Sequence, residues 1–273
     1  MSITETFPLA FWILVGVALL VSSIGFYRFV YFISLGYGFS VAAMGLVLMG
    51  LFWDRLTIFT TVLCIVLTVY GLRLGLFLLH RERKSASYRQ AMEREGRDRA
   101  AVKPLPKLGI WVGCSLLYTL QISPIFFRLQ NGTVPDVPAC WGLTFMVGGL
   151  LLETVADYQK GVAKAAAPDR FCSTGVFRFV RCPNYLGELL FWTGALITGL
   201  LAMDGLWQWL TALLGWACIV RVMFQGARRL ELRQNKLYGE DPFYQVYTRF
   251  TPILIPVLPL YSMEHYKIRR EIL

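Results

Sequence analysis

Arg181-Cys182-Pro183-Asn184-Tyr185-Leu186-Gly187-Glu188 runs without a break into the apolar segment Leu189 to Leu201. The stretch puts an amide and a carboxylate at the mouth of a membrane helix. Continued as a helix, Asn184, Glu188 and Trp192 fall at i, i+4 and i+8 and share one face. Ionisable groups in such a segment are costly and point into a protein cavity rather than at lipid. The stretch therefore predicts a polar binding site inside a helical membrane protein.

The rest of the chain agrees with that reading. Its 273 residues are 56% hydrophobic and 15% aromatic, with a mean hydropathy of +0.54. Soluble domains hold only ~45–50% apolar residues. Seven runs are long enough for ~30 Å of hydrocarbon. They are Phe7–Val21, Tyr37–Trp53, Thr57–Leu79, Leu108–Phe127, Val137–Ala156, Tyr185–Met203 and Leu206–Phe224. The apolar stretch Tyr27–Leu35 is short and extends the first or second of these. The expected fold is an all-α polytopic bundle of about seven transmembrane helices.

Charge supplies an independent check. Residues 80–107 carry nine Lys/Arg, 158–183 carry five, and the tail after Phe224 carries eight. The intervening stretches 129–136 and 204–205 carry none, and 54–56 carries only Arg55. Basic segments thus alternate with nearly uncharged ones. The positive-inside rule puts the basic segments and the C-terminus in the cytoplasm, in a bacterial inner membrane or the endoplasmic reticulum.

The net charge of +10 could suggest nucleic acid. Its distribution beside membrane helices points instead to anionic headgroups or an anionic cofactor. Arg81, Arg83, Lys84 and Arg89 read as a solvated, lipid-facing collar. The six cysteines, at 64, 114, 140, 172, 182 and 218, show no ligand spacing, and His80 and His265 lie far apart. Neither a metal site nor a disulfide framework is indicated. The first apolar run reads as a helix rather than a removed signal.

Function divides near residue 135. Residues 1–135 supply helices with little polar content, suited to a lipid-accessible pocket. Residues 136–273 carry polar side chains at regular spacings, within one integrated domain. Glu153, Asp157, Lys160 and Lys164 recur at spacings of four, three and four, a polar stripe emerging from the membrane. The following loop holds Arg170, Arg178 and Arg181 around Ser173-Thr174-Gly175. Gly175 can take a positive-φ turn, and guanidinium forks suit phosphate. Further on, a helix through Arg229 and Arg233 could cover the cytoplasmic mouth. Helix three carries Arg73 one turn beyond Tyr70. That arginine is read either as snorkelling to the interface or as orienting a substrate carbonyl that Tyr70 hydrogen-bonds.

At these residues the chain resembles the membrane steroid 5α-reductase superfamily, in its branch designated DUF1295. The resemblance runs from about Glu153 to Pro256. It rests on Glu153-Thr154-Val155-Ala156-Asp157, Gly175-Val176-Phe177-Arg178, Cys182-Pro183-Asn184-Tyr185-Leu186-Gly187-Glu188 and Asp241-Pro242-Phe243-Tyr244-Gln245-Val246-Tyr247, then Thr251-Pro252-Ile253-Leu254-Ile255-Pro256. It implies a seven-helix bundle that binds NADPH from the cytoplasmic side and reduces a C=C bond conjugated to a carbonyl.

By that resemblance Asp157, Arg170, Asn184, Glu188 and Trp192 line the cofactor site, and Lys164 stands where the steroid reductases have an arginine. Glu153, on the polar stripe of the fifth helix, joins them, and the cofactor phosphates are expected among Lys164, Arg170, Arg178 and Arg233. Tyr70 polarises the carbonyl of a lipid-soluble substrate, with Arg73 beside it. Residues 37–53 contain no acid where the reductases carry a glutamate, and Cys182 replaces the motif's histidine. Two other readings stand beside this one. Isoprenylcysteine-methyltransferase-like enzymes share an Arg-Xaa-Pro-Xaa-Tyr-Xaa-Gly pattern and use S-adenosylmethionine. A lipid-binding protein without catalysis is the third.

Overall fold

The computed structural model describes residues 3–84, 104–256 and 258–264. Among them the regular structure is helical, without strands: α1 (Ile3–Thr6), α2 (Leu9–Ser22), α3 (Leu35–Leu51), α4 (Ile58–Lys84), α5 (Pro104–Gln130), α6 (Val137–Ala166), α7 (Pro183–Gly199), α8 (Leu206–Tyr238) and α9 (Pro242–Phe250). Six spans are long and apolar enough to cross a membrane: Leu9–Phe26, Phe29–Leu51 and the helices α4, α5, α6 and α8. The short apolar stretch after Tyr27 forms a 3-10 turn, Phe29–Phe32, that leads into α3.

The seventh expected span is shorter than its hydropathy suggests. Residues Tyr185–Met203 were expected to be helical, but α7 ends at Gly199 and has 17 residues. At ~1.5 Å per residue it covers ~26 Å, less than a full hydrocarbon core. The chain turns at once, with Ala202 N–H bonded to the Gly199 carbonyl at 2.9 Å and Gly205 at a φ of 83°. Among the described residues six spans meet both length and composition, and α7, at 17 residues, stands at the short end of what crosses a membrane.

The chain divides into two compact units, Met1–Leu143 with Ala195–Trp216, and Thr144–Gly194 with Ala217–Leu273. In the first, small residues let α3 and α4 touch backbone to backbone. Gly38, Ala42 and Gly45 recur along α3, facing Thr68, Gly71 and Gly75 of α4. A methyl group on Gly38 would stand 2.8 Å from the Gly75 nitrogen, and one on Gly71 would stand 2.5 Å from the Gly38 carbonyl oxygen. Lipid tails are as apolar as the side chains, so close backbone approach must supply the packing.

Three buried tyrosines gather nearby. The Tyr37 and Tyr70 hydroxyls are 3.4 Å apart, the Tyr37 and Tyr118 rings are 5.1 Å apart, and the Tyr118 hydroxyl donates to the Phe32 carbonyl. At the end of α4, Glu82 is buried and accepts from Arg28 at 2.6 Å and from Tyr31 at 2.7 Å. Its neighbours Arg81, Arg83 and Lys84 are exposed, as the collar reading requires, while Arg89 lies outside the described residues.

Pro124 sits inside α5 and removes the amide that would bond the Leu120 carbonyl. Ser123 Oγ fills the gap, donating to that oxygen at 2.8 Å. Such local repair is how membrane helices tolerate proline. Glycines then close over the spot: a methyl on Gly215 would stand 2.5 Å from the Leu120 oxygen, and one on Gly199 would stand 2.8 Å from Pro124 Cβ. One turn further, the buried Arg128 donates to the Thr198 carbonyl at 2.5 Å, to the Val134 carbonyl at 2.8 Å, and pairs with Asp136.

Candidate functional site

The second unit is organised by one helix crossing. A methyl on Gly187 of α7 would stand 2.7 Å from the Gly149 carbonyl oxygen and 2.8 Å from the Glu153 nitrogen of α6. A methyl on Gly149 would stand 2.6 Å from the Phe191 nitrogen. With no side chain between them the two backbones touch. Glu153, only 3% exposed, is thereby seated against Gly187, within one turn of Asn184 and Glu188.

The helix from Pro183 keeps Asn184, Glu188 and Trp192 on one face, as the spacing predicts. Glu188 and Trp192 are buried, and Asn184 is partly so. The amide oxygen Oδ1 of Asn184 is buried without a hydrogen-bond partner in the protein. Asp157, one turn beyond Glu153 along α6, is partly exposed. The crossing thus seats Glu153 against Gly187 of α7, the helix whose neighbouring positions carry Asn184 and Glu188, with Trp192 one turn further along.

The loop after α6 is bound by side chains rather than left open. Gly175 has a φ of 62°, and its backbone lies where any Cβ would overlap the Gln159 amide. Gln159 Oε1 accepts from the Val176 N–H at 2.9 Å. Lys164 Nζ donates to the Pro168 carbonyl at 2.9 Å, the Arg170 carbonyl at 2.6 Å and the Tyr238 hydroxyl at 2.8 Å. Those acceptors occupy all three ammonium protons, so Lys164 fastens the loop to α8. Phe171 packs among Tyr238, Tyr244 and Tyr247, with ring centroids 5.8, 5.2 and 5.4 Å away. Arg170, Arg178 and Arg233 are exposed.

Beneath this loop lies an ion pair that sequence reasoning missed. Arg181 and Glu231, each 3% exposed, are 3.0 Å apart. Arg181 Nη2 also donates to the Tyr261 carbonyl, and Glu231 Oε2 accepts from the Met263 N–H at 2.8 Å. The backbone closes the same junction, with Arg181 N–H to the Pro252 carbonyl and Cys182 N–H to the Ile253 carbonyl, both at 2.9 Å. Arg181 had been grouped with the phosphate-binding arginines; its guanidinium is spent on a structural clasp. The signal available in the sequence was the acid Glu231 standing between Arg229 and Arg233.

Burial at this junction keeps nearby groups neutral. The Cys182 thiol is pushed up from an ordinary 9.0 to about 12, chiefly by desolvation. Tyr244 is pushed up from 10.0 to about 12, and Tyr247 upward too, also by desolvation first. Cys182 is thus an inert core thiol.

Tyr70 and Arg73 lie in the first unit. Tyr70 is fully buried and pairs with Tyr37, while Arg73 is partly buried with its guanidinium 5.3 Å from the Phe77 ring centroid, one turn on. Among the described residues no group of three or more His, Cys, Asp or Glu could hold a metal ion.

A family model described as "Protein of unknown function (DUF1295)" matches residues 19–251. The uncharacterized protein C594.04c of Schizosaccharomyces pombe is 36% identical over 88 residues, covering 31% of this chain and 24% of that protein. The chain therefore spans about a quarter of the length of the curated relative it matches. No solved structure matches.

Proposed function

The chain belongs to the DUF1295 family, and from that premise we propose that it is a membrane-embedded, NADPH-dependent reductase. Its substrate class is a lipid-soluble molecule, steroid-like or isoprenoid, with a C=C bond conjugated to a carbonyl. The observation that carries the reading is the Gly149–Gly187 crossing, which seats the buried Glu153 against the helix that carries Asn184, Glu188 and Trp192.

The residues present fit the cofactor. A buried amide oxygen without a partner, Asn184 Oδ1, is the acceptor a carboxamide NH2 requires. Glu153, Asp157 and Glu188 add acceptors for ribose hydroxyls, and Trp192 offers an apolar wall. Arg170, Arg178 and Arg233 are exposed on the loop and on α8, where guanidinium groups can meet phosphates. Lys164 adds positive charge there while holding the loop. Bound NADPH would supply the hydride.

The chain's own residues have three tasks. The phenol of Tyr70 donates a hydrogen bond to the substrate carbonyl, where negative charge develops. Arg73 adds a fixed cation one turn away. The helices exclude water from the reacting groups. The three basic segments face the cytoplasm, as does the C-terminus, in the endoplasmic reticulum or a bacterial inner membrane.

The test is binding to the purified full-length protein in detergent, with NADPH, NADH and S-adenosylmethionine compared by thermal shift. A ligand at 100 times its dissociation constant adds ~2.7 kcal/mol to the folded state. Stabilisation by NADPH that Asn184→Ala and Glu188→Gln each abolish supports the reductase. Stabilisation by S-adenosylmethionine alone moves the chain to the methyltransferase-like enzymes. No response to any of the three leaves lipid binding without catalysis.

A further inference from the structure

Most of the polar side chains buried in the first unit have partners, although Gln130 Oε1 and Thr133 Oγ1 do not. Ser22 and Ser115 share a hydrogen bond at 2.9 Å, Thr119 donates to the Ser115 carbonyl at 3.1 Å, and Asn131 donates to Gln208 at 2.9 Å. Ser123 and Arg128 are tied as described above. Gln121 differs from Gln130 and Thr133 in being fully buried with the two ends of its amide unpaired. It is 4% exposed, and neither its Nε2 nor its Oε1 has a hydrogen-bond partner in the protein.

Gln121 stands midway along α5, one turn before Pro124 and two before Arg128. Positions 121, 124 and 128 fall at i, i+3 and i+7 and share a stripe. Pro124 meets Gly199, and Arg128 bonds the Thr198 carbonyl, so the stripe runs along the end of α7. Leaving both ends of a buried amide unpaired is a heavy penalty that an apolar residue of the same size avoids. A group arriving from outside the chain removes it. That group must accept from Nε2 and donate to Oε1. A hydroxyl does both, a carbonyl can only accept, and a hydrocarbon does neither. Ile125, one turn on along the same face of α5, is buried and apolar.

We propose that Gln121 binds the hydroxyl group of a lipid alcohol within the first unit. The inference goes beyond the reductase reading and does not need it, since it concerns binding without nucleotide. Gln121 selects for the oxygen, and Ile125 beside it meets the hydrocarbon.

The test uses the full-length protein in detergent, without nucleotide, and two probe pairs: farnesol with farnesene, and cholesterol with cholestane. The expected result is tighter binding of the alcohol than of its hydrocarbon in at least one pair, by about tenfold, the scale of two neutral hydrogen bonds. Gln121→Leu and Gln121→Met should each erase that preference while still binding the hydrocarbon. Both variants should melt at or above the wild-type temperature in the absence of probe, which shows that they fold. An alcohol preference in neither pair overturns the proposal. So does a preference that survives in both variants, the outcome expected if ordered water alone satisfies the amide. Loss of the NADPH response would sink the reductase reading and leave these measurements unaffected.

Discussion

Gly149 and Gly187 meet so closely that neither can carry a side chain, and their contact is what seats Glu153 against α7 at Gly187. Small residues at a crossing usually serve packing; here they also fix where the buried Glu153 meets α7.

Gly149→Ala should therefore lower stability by about 1–3 kcal/mol, because its methyl meets backbone that cannot rotate away. Gly148→Ala, the next residue, has nothing within 4 Å of the added methyl and should be neutral or stabilising, since glycine is ~1 kcal/mol worse than alanine in a helix. Thermal melts of the two variants side by side check this. Equal effects would mean that the crossing is not tight.

Replacing one member of the buried Arg181–Glu231 pair, as in Arg181→Met, should cost about 3–5 kcal/mol by leaving a lone buried charge. The double change Arg181→Met with Glu231→Leu should recover much of that loss. Denaturant titration of the single and double variants measures the recovery. A strictly additive result would show that the two charges do not sense one another.

The exposed arginines and Lys164 should separate binding from stability. Arg170→Ala and Arg178→Ala should leave stability within about 0.5 kcal/mol while weakening NADPH about tenfold each, as expected for a lost charge-assisted contact. Lys164→Met, by contrast, removes three internal hydrogen bonds and should lower the melting temperature before any nucleotide is added. Calorimetric titration beside thermal melts distinguishes the two classes.

Alkali should loosen the second unit. Cys182 and Tyr244 hold their protons more tightly when folded, so the stability they contribute is complete below their ordinary values. It is lost as pH rises from 9.0 to about 12 for Cys182 and from 10.0 to about 12 for Tyr244. Melting temperature should fall across that window, and less steeply in Cys182→Ala and Tyr244→Phe. A fall of unchanged slope in both variants would assign the alkaline transition to other groups.

Hydropathy made the long helices legible, and four-residue spacing put Asn184, Glu188 and Trp192 on one face before any coordinates. Both are local properties of the chain. The early end of α7 was hidden because Leu200 to Met203 are as apolar as the helix they follow. The partners of Lys164, the Gln159–Val176 bond and the Arg181–Glu231 pair were hidden for another reason. They join residues 4 to 74, 17 and 50 positions apart, and composition holds no record of such pairings. Basic residues on a cytoplasmic loop look alike in sequence whether they bind phosphate or clasp the fold.

The clasp around Arg181 also bears on how the protein is made. Its guanidinium reaches a carbonyl 80 residues later in the chain, at Tyr261, and its carboxylate partner accepts an amide at Met263. Synthesis adds ~5–20 residues per second, so a nascent chain with α6 and α7 already inserted waits several seconds for these closing strokes. Glu231 follows Arg181 by 50 residues, so the carboxylate arrives first and the Tyr261 carbonyl last. The clasp is therefore completed only when translation is nearly finished, and a chain that stops short of residue 261 would keep the Arg181–Glu231 pair without the backbone groups that close over it.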